Sequence, residues 1–323
     1  MILQERILDS LNPADSSMVF ITDFYKEESI WGIKNIYKKE RENKPRICMT
    51  AGSHAEEYSG INALIDIIPI IERTFFNYLI VPARDPIGYG GFQELYNISL
   101  KLKPIYIVNF HNSYKVFIYK YIDIYIIYSS PNMFVGMTMY IKIIKKILYY
   151  GYKIDANTPI YIPINKLTKQ NGSPFVFAHV IYLDDYGAFQ HLNTNFFNTR
   201  LRSICTLRKY IFNFSPDYII DCHEGWGKYI YIYSTPRALY FTSELISILL
   251  RMGLPLRFDD ECAYPGIIIK NKGSSLQNYF DTKLNCVAVT IEIGEKFSES
   301  EKKRLYNLIL GLVINQIFEE SVY

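Results

Sequence analysis

Residues 47–57 read ICMTAGSHAEE, an apolar run followed directly by a polar turn. The run predicts a buried strand, and the turn places His54 and Glu57 three residues apart at its end. An imidazole and a carboxylate at this spacing can bind one cation where the chain bends sharply or opens a helix. Because H-x-x-E occurs by chance in many soluble chains, the metal-site hypothesis depends on a third ligand and a base elsewhere in the sequence.

Length and charge narrow the class of protein. The 323 residues are enough for one large domain or two smaller ones with a sizeable core. The net charge of +3, from 35 basic and 32 acidic residues, is too balanced to indicate nucleic acid or an anionic membrane as a partner. Tyrosine is abundant, with 29 residues, so a tyrosine gains no functional role from its presence alone.

Cysteine usage and hydropathy predict a soluble cytoplasmic protein. The five cysteines are widely spaced, form no C-x-x-C pair and lie mostly in apolar runs, as buried reduced thiols do. The first ten residues lack a secretory apolar stretch. The most apolar region, 116–128, is interrupted by Lys120 and Asp123 and is too short to span a bilayer.

Hydrophobic patterning predicts alternating strands and helices, and therefore an α/β fold. The first elements are a strand at 46–50, a helix at 60–73 and strands at 77–81 and 104–109. The later elements are helices at 193–213, 236–252, 274–282 and 299–319, the last capped by Ser298, and strands at 217–221, 229–233, 267–269 and 287–292. Continuously apolar strands between helices indicate a largely parallel sheet covered on both faces.

Residues 111–180 depart from this alternation. They contain a β-rich stretch, a helical stretch at 135–150 and a short strand at 160–164 between prolines. We expect an insertion within a single domain spanning residues 1–323, because no repeat or Pro/Gly/Ser linker divides the chain. The pattern before the first clear strand is mixed, with a short helix and a strand near 18–21.

Two later strand ends supply the missing ligand and base. His223 follows the apolar strand in YIIDCHEG, and Glu292 closes the strand in AVTIEIG. The carboxyl ends of strands in an open α/β sheet line the ligand crevice, so we expect both to meet His54 and Glu57 there. Two histidines and one glutamate are a ligand set of hydrolytic zinc. A glutamate at the end of an apolar strand suits a general base better than a surface charge.

With these residues in this order, the chain resembles the zinc carboxypeptidase superfamily, which includes aspartoacylase and succinylglutamate desuccinylase. The H-x-x-E turn matches at His54 and Glu57, the strand followed by a histidine at His223, and the T-x-E strand at Glu292. The resemblance implies a three-layer α/β/α sandwich with a mixed, mostly parallel central sheet, of the phosphorylase/hydrolase-like kind. It also implies one Zn2+ ion held by the two histidines and Glu57, with Glu292 activating water to hydrolyse an amide bond.

Three looser matches suggest residues that contact the substrate. The stretch PARDPIGY, beginning at Pro82, is similar to the family's N-P-D-G-Y turn and offers Arg84 to the oxyanion. HLNTNF, beginning at His191, is similar to D-L-N-R-N-F and suggests Asn193 as a substrate contact. The region that begins at Tyr264 is similar to the loop that carries the family's substrate-capping tyrosine.

Two departures from the family pattern concern arginines. Thr194 stands where the family has the arginine that binds the substrate's terminal carboxylate, and a hydroxyl cannot replace a bidentate guanidinium. The family's oxyanion arginine shortly before Asn193 is also missing. Arg84 could take over by reaching in from the earlier turn, and Arg200 or Arg202 could serve from the next helix.

The departures leave the substrate class open. A peptide and an N-acyl amino acid are both compatible with the motifs, and a zinc-binding but inactive scaffold is the alternative from a different class. Only one helix follows Glu292. That favours the compact carboxypeptidase-type domain over the aspartoacylase-like enzymes, which continue into an extra β domain.

Several other polar residues have competing interpretations. His111 is a rival metal ligand at another strand end, whereas His179 follows an apolar run and is expected to pack. Asp221 either orients a metal ligand or ends its strand, and Glu224 either lines the site or is solvated. Cys222 is not expected to act as a nucleophile with the neighbouring histidine, because adjacent strand residues point to opposite faces.

Overall fold

The computed structural model describes most of the chain from residue 37 onward. The described residues are 37–40, 43–54, 57–85, 88, 101–110, 114–121, 124–130, 137–164, 169–170, 173–174, 177–270, 273 and 275–322. The strand predicted near 18–21, the short helix predicted beside it and the rival ligand His111 lie outside these residues.

The central sheet contains seven strands. They are β1 (Tyr37–Lys39), β2 (Arg46–Ala51), β3 (Asn77–Val81), β12 (Tyr218–Gly225), β13 (Ile230–Ser234), β14 (Ile267–Ile269) and β15 (Val287–Gly294). Their order is β1-β3-β2-β12-β15-β13-β14. Pairing is antiparallel only at β1–β3 and β13–β15, so the predicted mixed, mostly parallel sheet is confirmed.

Helices cover both faces of this sheet. The described helices are α1 (Tyr58–Ile71), α2 (Met137–Tyr149), α3 (Arg202–Phe214), α4 (Leu239–Arg251), α5 (Leu276–Leu284) and α6 (Glu299–Val322). Helices α1, α4 and α6 share a core with one face of the sheet, and α3 and α5 share a second core with the other. Strands buried on both faces have to be apolar throughout, which is why they read as continuous hydrophobic runs. None of the described helices is both long and apolar enough to cross a bilayer.

A second sheet extends the layer that contains α3 and α5. Its strands are β4 (Tyr106–Phe110), β5 (Tyr114–Tyr121), β6 (Ile124–Ser130), β7 (Ile160–Ile164), β10 (Phe177–Leu183) and β11 (Phe189–His191). One face packs in the same core as α3 and α5, and the other covers α2. Between β7 and β10 in the chain, two antiparallel strands of two residues each, β8 (Lys169–Gln170) and β9 (Ser173–Pro174), form a separate hairpin. Four strands of the second sheet, β5, β6, β7 and β10, lie wholly or partly within the predicted insertion, 111–180.

The predicted helix at 193–213 is wrong over its first nine residues, 193–201. Asn195 has a φ of 59°, in the left-handed region, and the backbone around it forms turns. A left-handed residue cannot continue a right-handed helix, so the helix begins only at Arg202. At the other end of the chain the predicted cap is present. The Oγ of Ser298 accepts from the amide of Glu301 at 3.3 Å, and the Glu301 carboxylate accepts from the amide of Ser298 at 2.7 Å, which is a capping box.

Gly52 forms the turn that carries the chain from β2 towards α1. Its φ is 62°, and a Cβ atom there would lie 2.6 Å from the Cδ1 of Ile61. The turn can therefore be this tight only with glycine. It brings the end of β2 close to the start of α1, and His54 lies in the segment between them.

We expect Gly52→Ala to lower the free energy of unfolding by more than the roughly 1–2 kcal/mol cost of a left-handed alanine, because the new methyl group also meets Ile61. Gly253→Ala is the matched control, since Gly253 has a φ of 70° but nothing within 4 Å of an added Cβ. Urea unfolding of the two variants measures the difference. Equal losses would show that the contact with Ile61 is unimportant.

Candidate metal centre

Polar side chains occupy one face of the central sheet at the carboxyl ends of its parallel strands. Asp221 pairs in register with Thr50 on one side and Thr290 on the other, and His223 pairs with Glu292. Because side chains alternate along a strand, these groups share a face. Cys222 points to the opposite face, into the core with α1 and α6, as expected from the sequence.

His54, Glu57 and His223 converge at this edge. Each offers a ligand atom, and these atoms lie within 4.8 Å of one another. The Nδ1 of His54 is 2.6 Å from Glu57 Oε1, and the Nδ1 of His223 is 3.1 Å from Glu57 Oε2. Glu57 Oε2 is buried but makes no hydrogen bond within the described part of the chain. A buried carboxylate oxygen between two imidazoles, without a hydrogen bond, suits a cation that all three would share.

The charges around this cluster favour positive charge at its centre. Burial alone would raise the pKa of Glu57, but His54 and His223 lower it well below the usual range. Burial likewise opposes a charged His223, yet Asp221 and Glu57 together raise its pKa to about 10. The carboxylates of Asp221 and Glu57 therefore stabilise a positively charged group at this position more than a neutral one.

Asp221 is fully buried and links three strands. Its Oδ1 accepts from the hydroxyl of Thr50 at 2.6 Å, and its Oδ2 lies 2.9 Å from the Nε2 of His223 and 3.4 Å from Arg84. A hydrogen bond from Nε2–H to Asp221 leaves the Nδ1 of His223 as the nitrogen that faces Glu57. The interpretation of Asp221 as the residue that orients His223 agrees with this geometry. Ser53 Oγ lies 3.2 Å from the same Nδ1.

Arg84 enters the site from the end of β3. Its amide donates to the carbonyl of Ala51 at 2.8 Å, which extends the parallel pairing past the strand. The guanidinium is 4% exposed and stacks over Phe196, with 6.0 Å from Cζ to the ring centroid. Its Nη2 lies 3.1 Å from both Asn193 Oδ1 and His223 Nε2. Nε and Nη1 are buried without a hydrogen-bond partner among the described residues, so two donors remain for a ligand.

Glu292 is 8% exposed and stands beside His223 on the neighbouring strand. No described residue forms a hydrogen bond or ion pair with its carboxylate, so no ion pair within the described part of the chain accounts for a charge at this buried position. Burial raises the pKa of Glu292 to about 7, although His223 opposes this. A carboxylate with such a pKa can accept and release a proton near neutral pH.

Two of the expected substrate residues have largely exposed side chains. That of Arg200 is 81% exposed and lies 3.5 Å from Asp185. Tyr264 is 55% exposed and forms an isolated bridge with Ile267, the first residue of β14. Arg202 begins α3, and its side chain is outside the described part of the structure. Glu224 points to the opposite face of the sheet, where it is buried and paired with Lys302, so it is neither solvated nor part of the site wall.

Two histidines from the second sheet surround His54. The ring centroids of His179 and His191 lie 6.2 and 6.0 Å from that of His54, both edge to face. The sequence predicted that His179 packs in the core and indicated no role for His191. No local signal distinguishes them, because their proximity depends on how the second sheet packs against the first.

The fold and this cluster together define an α/β protein with a candidate metal-binding site at the carboxyl ends of parallel strands. No family model matches the chain, and neither does any curated protein. Solved structures do match. A candidate metallopeptidase from Shewanella denitrificans aligns with a TM-score of 0.53 and 15% identity over 96% of this chain and 87% of its own.

Two further structures agree. A candidate metallopeptidase from Shewanella baltica aligns with a TM-score of 0.52 and 13% identity, over 97% of this chain and 89% of its own. A metallo-carboxypeptidase from Burkholderia cenocepacia aligns with a TM-score of 0.50 and 10% identity, over 98% of this chain and 68% of its own. At these identities the likeness concerns the fold alone, and the fold is that of metallopeptidase and metallo-carboxypeptidase structures, as the sequence motifs predicted.

We expect Thr50→Val to lower the free energy of unfolding by about 1.5–3 kcal/mol, because it removes a hydrogen bond to the buried Asp221 carboxylate. Thr290→Val is the matched control on the other side of Asp221, since the buried Oγ1 of Thr290 has no partner among the described residues. That control should change stability by less than about 0.5 kcal/mol or increase it. Urea unfolding of both variants tests the difference, and equal destabilisation would contradict the assignment.

Proposed function

We propose that this protein is a zinc-dependent hydrolase that cleaves an amide bond in a carboxypeptidase-like manner. The observation that carries the proposal is the juxtaposition of the His54, Glu57 and His223 cluster with Glu292, a buried carboxylate without an ion-pair partner among the described residues. A metal-ligand set beside a base with a raised pKa is typical of metal-assisted hydrolysis.

The donor set fits zinc. Two imidazoles and one carboxylate are typical of zinc sites that retain an open position for water or substrate, whereas magnesium and calcium prefer oxygen ligands. The buried Glu57 Oε2, which has no hydrogen bond within the described residues, supports the same conclusion. Zinc bound by these residues would lower the pKa of a water molecule and polarise the scissile carbonyl.

Glu292 acts as the general base and then as the general acid. As a carboxylate it accepts a proton from the attacking water, and as a carboxylic acid it delivers that proton to the leaving nitrogen. Both steps need a pKa near the working pH, and burial gives Glu292 a pKa of about 7. Its position beside His223 puts it next to the proposed metal ligands.

Arg84 stabilises the oxyanion that forms when water attacks the carbonyl. Its unpartnered Nε–H and Nη1–H are held in place by the hydrogen bond from Nη2 to Asn193 Oδ1 and by the ion pair with Asp221, so they need little reorganisation during the reaction. The Oδ1 of Asn193 accepts a hydrogen bond from the Arg84 guanidinium. Asn193 is therefore next to the proposed oxyanion group and is the candidate for a further substrate contact. Arg200 and Tyr264 are left without a role in this mechanism.

The substrate class is a peptide or an N-acyl amino acid, since both contain a secondary amide. An inactive zinc-binding scaffold is less well supported, because Glu292 and two donors of Arg84 are buried without the partners that a structural role would provide.

The purified protein should bind about one zinc ion per chain. We expect His54→Ala and His223→Ala each to weaken zinc binding by about 100-fold or more, since each removes a direct ligand. His179→Asn serves as the control, because its ring is near His54 but belongs to no ligand group. Elemental analysis and chelator competition measure the effect. Zinc bound equally well by all variants would exclude this site.

Glu292→Gln should retain zinc but lose about 100- to 10,000-fold in kcat for release of amine from acylated peptides. The kcat/KM of the unmodified protein should fall as the pH drops below about 7, where Glu292 becomes protonated; a bound cation lowers this limit further. Glu295→Gln, at an exposed turn residue that directly follows the same strand, is the control and should be unaffected. Equal activity in Glu292→Gln would rule out this base.

A further inference from the structure

Lys302 is a buried lysine in the first turn of α6. Its side chain is 1% exposed, and its Nζ contacts the carboxylates of Glu224 and Glu299, the latter at 2.8 Å. Burial of an ammonium costs free energy, and so does a cation at the positive end of a helix dipole; the two carboxylates offset these costs. Compared with well-packed apolar side chains, a buried ion pair of this kind adds little net stability. Its consequence therefore lies in the groups that it holds together.

One branch of this network reaches the start of α1. Glu299 uses its second carboxylate oxygen to accept a hydrogen bond from the hydroxyl of Ser59, which is buried. Ser59 is the second residue of α1, and the candidate ligand Glu57 is the N-cap of that helix. Because the N-cap directly precedes the first helical turn, the position of this turn determines that of Glu57. The branch from Lys302 through Glu299 to Ser59 therefore ends two residues from a candidate metal ligand.

The other branch reaches the end of β12. Glu224, which pairs with Lys302, directly follows the candidate ligand His223 and points to the opposite face of the sheet. Tyr306 lies one helical turn beyond Lys302 on the same side of α6, and its buried hydroxyl donates to the carbonyl of His223. Helix α6 therefore contacts the ligand-bearing strand both at the backbone of His223 and at the next side chain.

The backbone pairing of the sheet does not by itself fix the distance between Glu57 and His223. Strand β2 pairs with β12 only as far as Ala51 and Cys222, so the turn that carries Glu57 lies beyond the last paired residue. The contact between Glu57 Oε2 and His223 Nδ1, at 3.1 Å, joins the two candidate ligands themselves. A cation between them would take the place of this contact, so their spacing then depends on how α1 and β12 are held. The Lys302 network is connected to both elements.

We propose that Lys302 is a positioning residue of the candidate metal centre, which sets the spacing of Glu57 and His223 through Glu299 and Glu224 from the far face of the sheet. This inference rests on the proposed function, because it assumes that Glu57 and His223 bind the same zinc ion. Without the ammonium, the carboxylates of Glu224 and Glu299, which both lie against Nζ, would repel each other. The start of α1 and the end of β12 would then shift relative to each other, and zinc would bind more weakly although every ligand is still present.

The test compares the zinc affinity of Lys302→Met with that of Lys303→Met. Lys303 is the matched control, because its Nζ lies 2.6 Å from Asp66 Oδ2 and therefore also joins α6 to α1, but further along α1 from the ligand turn. We expect Lys302→Met to weaken zinc binding by about 10- to 100-fold, as the loss of a group that orients metal ligands does. Lys303→Met should change it by less than about twofold, since its ion pair is partly exposed. Chelator competition measures both affinities.

A spectrum of the metal site separates positioning from a general loss of stability. The visible absorption of the cobalt-substituted protein should change in Lys302→Met and not in Lys303→Met, because it reports the ligand geometry. An ion pair that only stabilises the fold would lower the free energy of unfolding of Lys302→Met without changing the zinc affinity or the cobalt spectrum. That outcome would overturn the proposal.

A milder variant and a measurement without metal separate this inference from the hydrolase proposal. Ser59→Ala removes one branch but leaves both ion pairs of Lys302, so it should fold and weaken zinc binding by about 3- to 10-fold. Amide hydrogen exchange of the metal-free proteins should be faster in the first two turns of α1 and at the end of β12 in Lys302→Met, but not in Lys303→Met. If the unmodified protein binds no zinc, the proposed function fails, yet this difference in exchange would still support the positioning role. Equal exchange in the two lysine variants would overturn it.

Discussion

The buried carboxylate of Asp221 is the group on which the site depends. An ionised carboxylate inside a sheet is unstable unless every oxygen is compensated, because removal of its hydration costs several kcal/mol. Compensation comes from Thr50 on the preceding parallel strand, from Arg84 beyond the next strand, and from His223 on its own strand. The same contacts that make the buried charge tolerable fix the orientation of the imidazole and of the guanidinium. Stability and preorganisation of the site therefore have one physical origin.

The opposite face of β12 also makes buried polar contacts. Glu224 pairs with the buried Lys302 of α6, and the hydroxyl of Tyr306 donates to the carbonyl of His223. Burial raises the pKa of Glu224 to about 7 even though Lys302 opposes the shift. Because alternate residues face opposite layers, one short stretch of β12 can bear the candidate ligand on one side and be anchored to the longest described helix on the other.

The sequence predicted the central features because they depend on strand ends. His54, Glu57, His223 and Glu292 each stand where an apolar run stops, and parallel strands bring such positions to one edge whatever the loops do. The ligand turn, the strand-end histidine and the strand-end glutamate therefore lie close together in the fold, as their order along the chain predicted. Features that depend on packing between layers were not accessible: the histidines of the second sheet and the burial of Glu224 follow from contacts across more than 70 residues. The early start predicted for α3 was wrong because helical periodicity does not reveal a single left-handed residue such as Asn195.

The candidate site combines residues of strands with residues of turns, and these differ in how well they tolerate substitution. His223 and Glu292 lie on strands of the central sheet, whereas Thr194 lies in a turn between β11 and α3. A turn tolerates substitution, and Thr194 closes this one with its own hydroxyl. A substitution in this turn can therefore change what the site recognises while His223 and Glu292 keep their positions on the sheet.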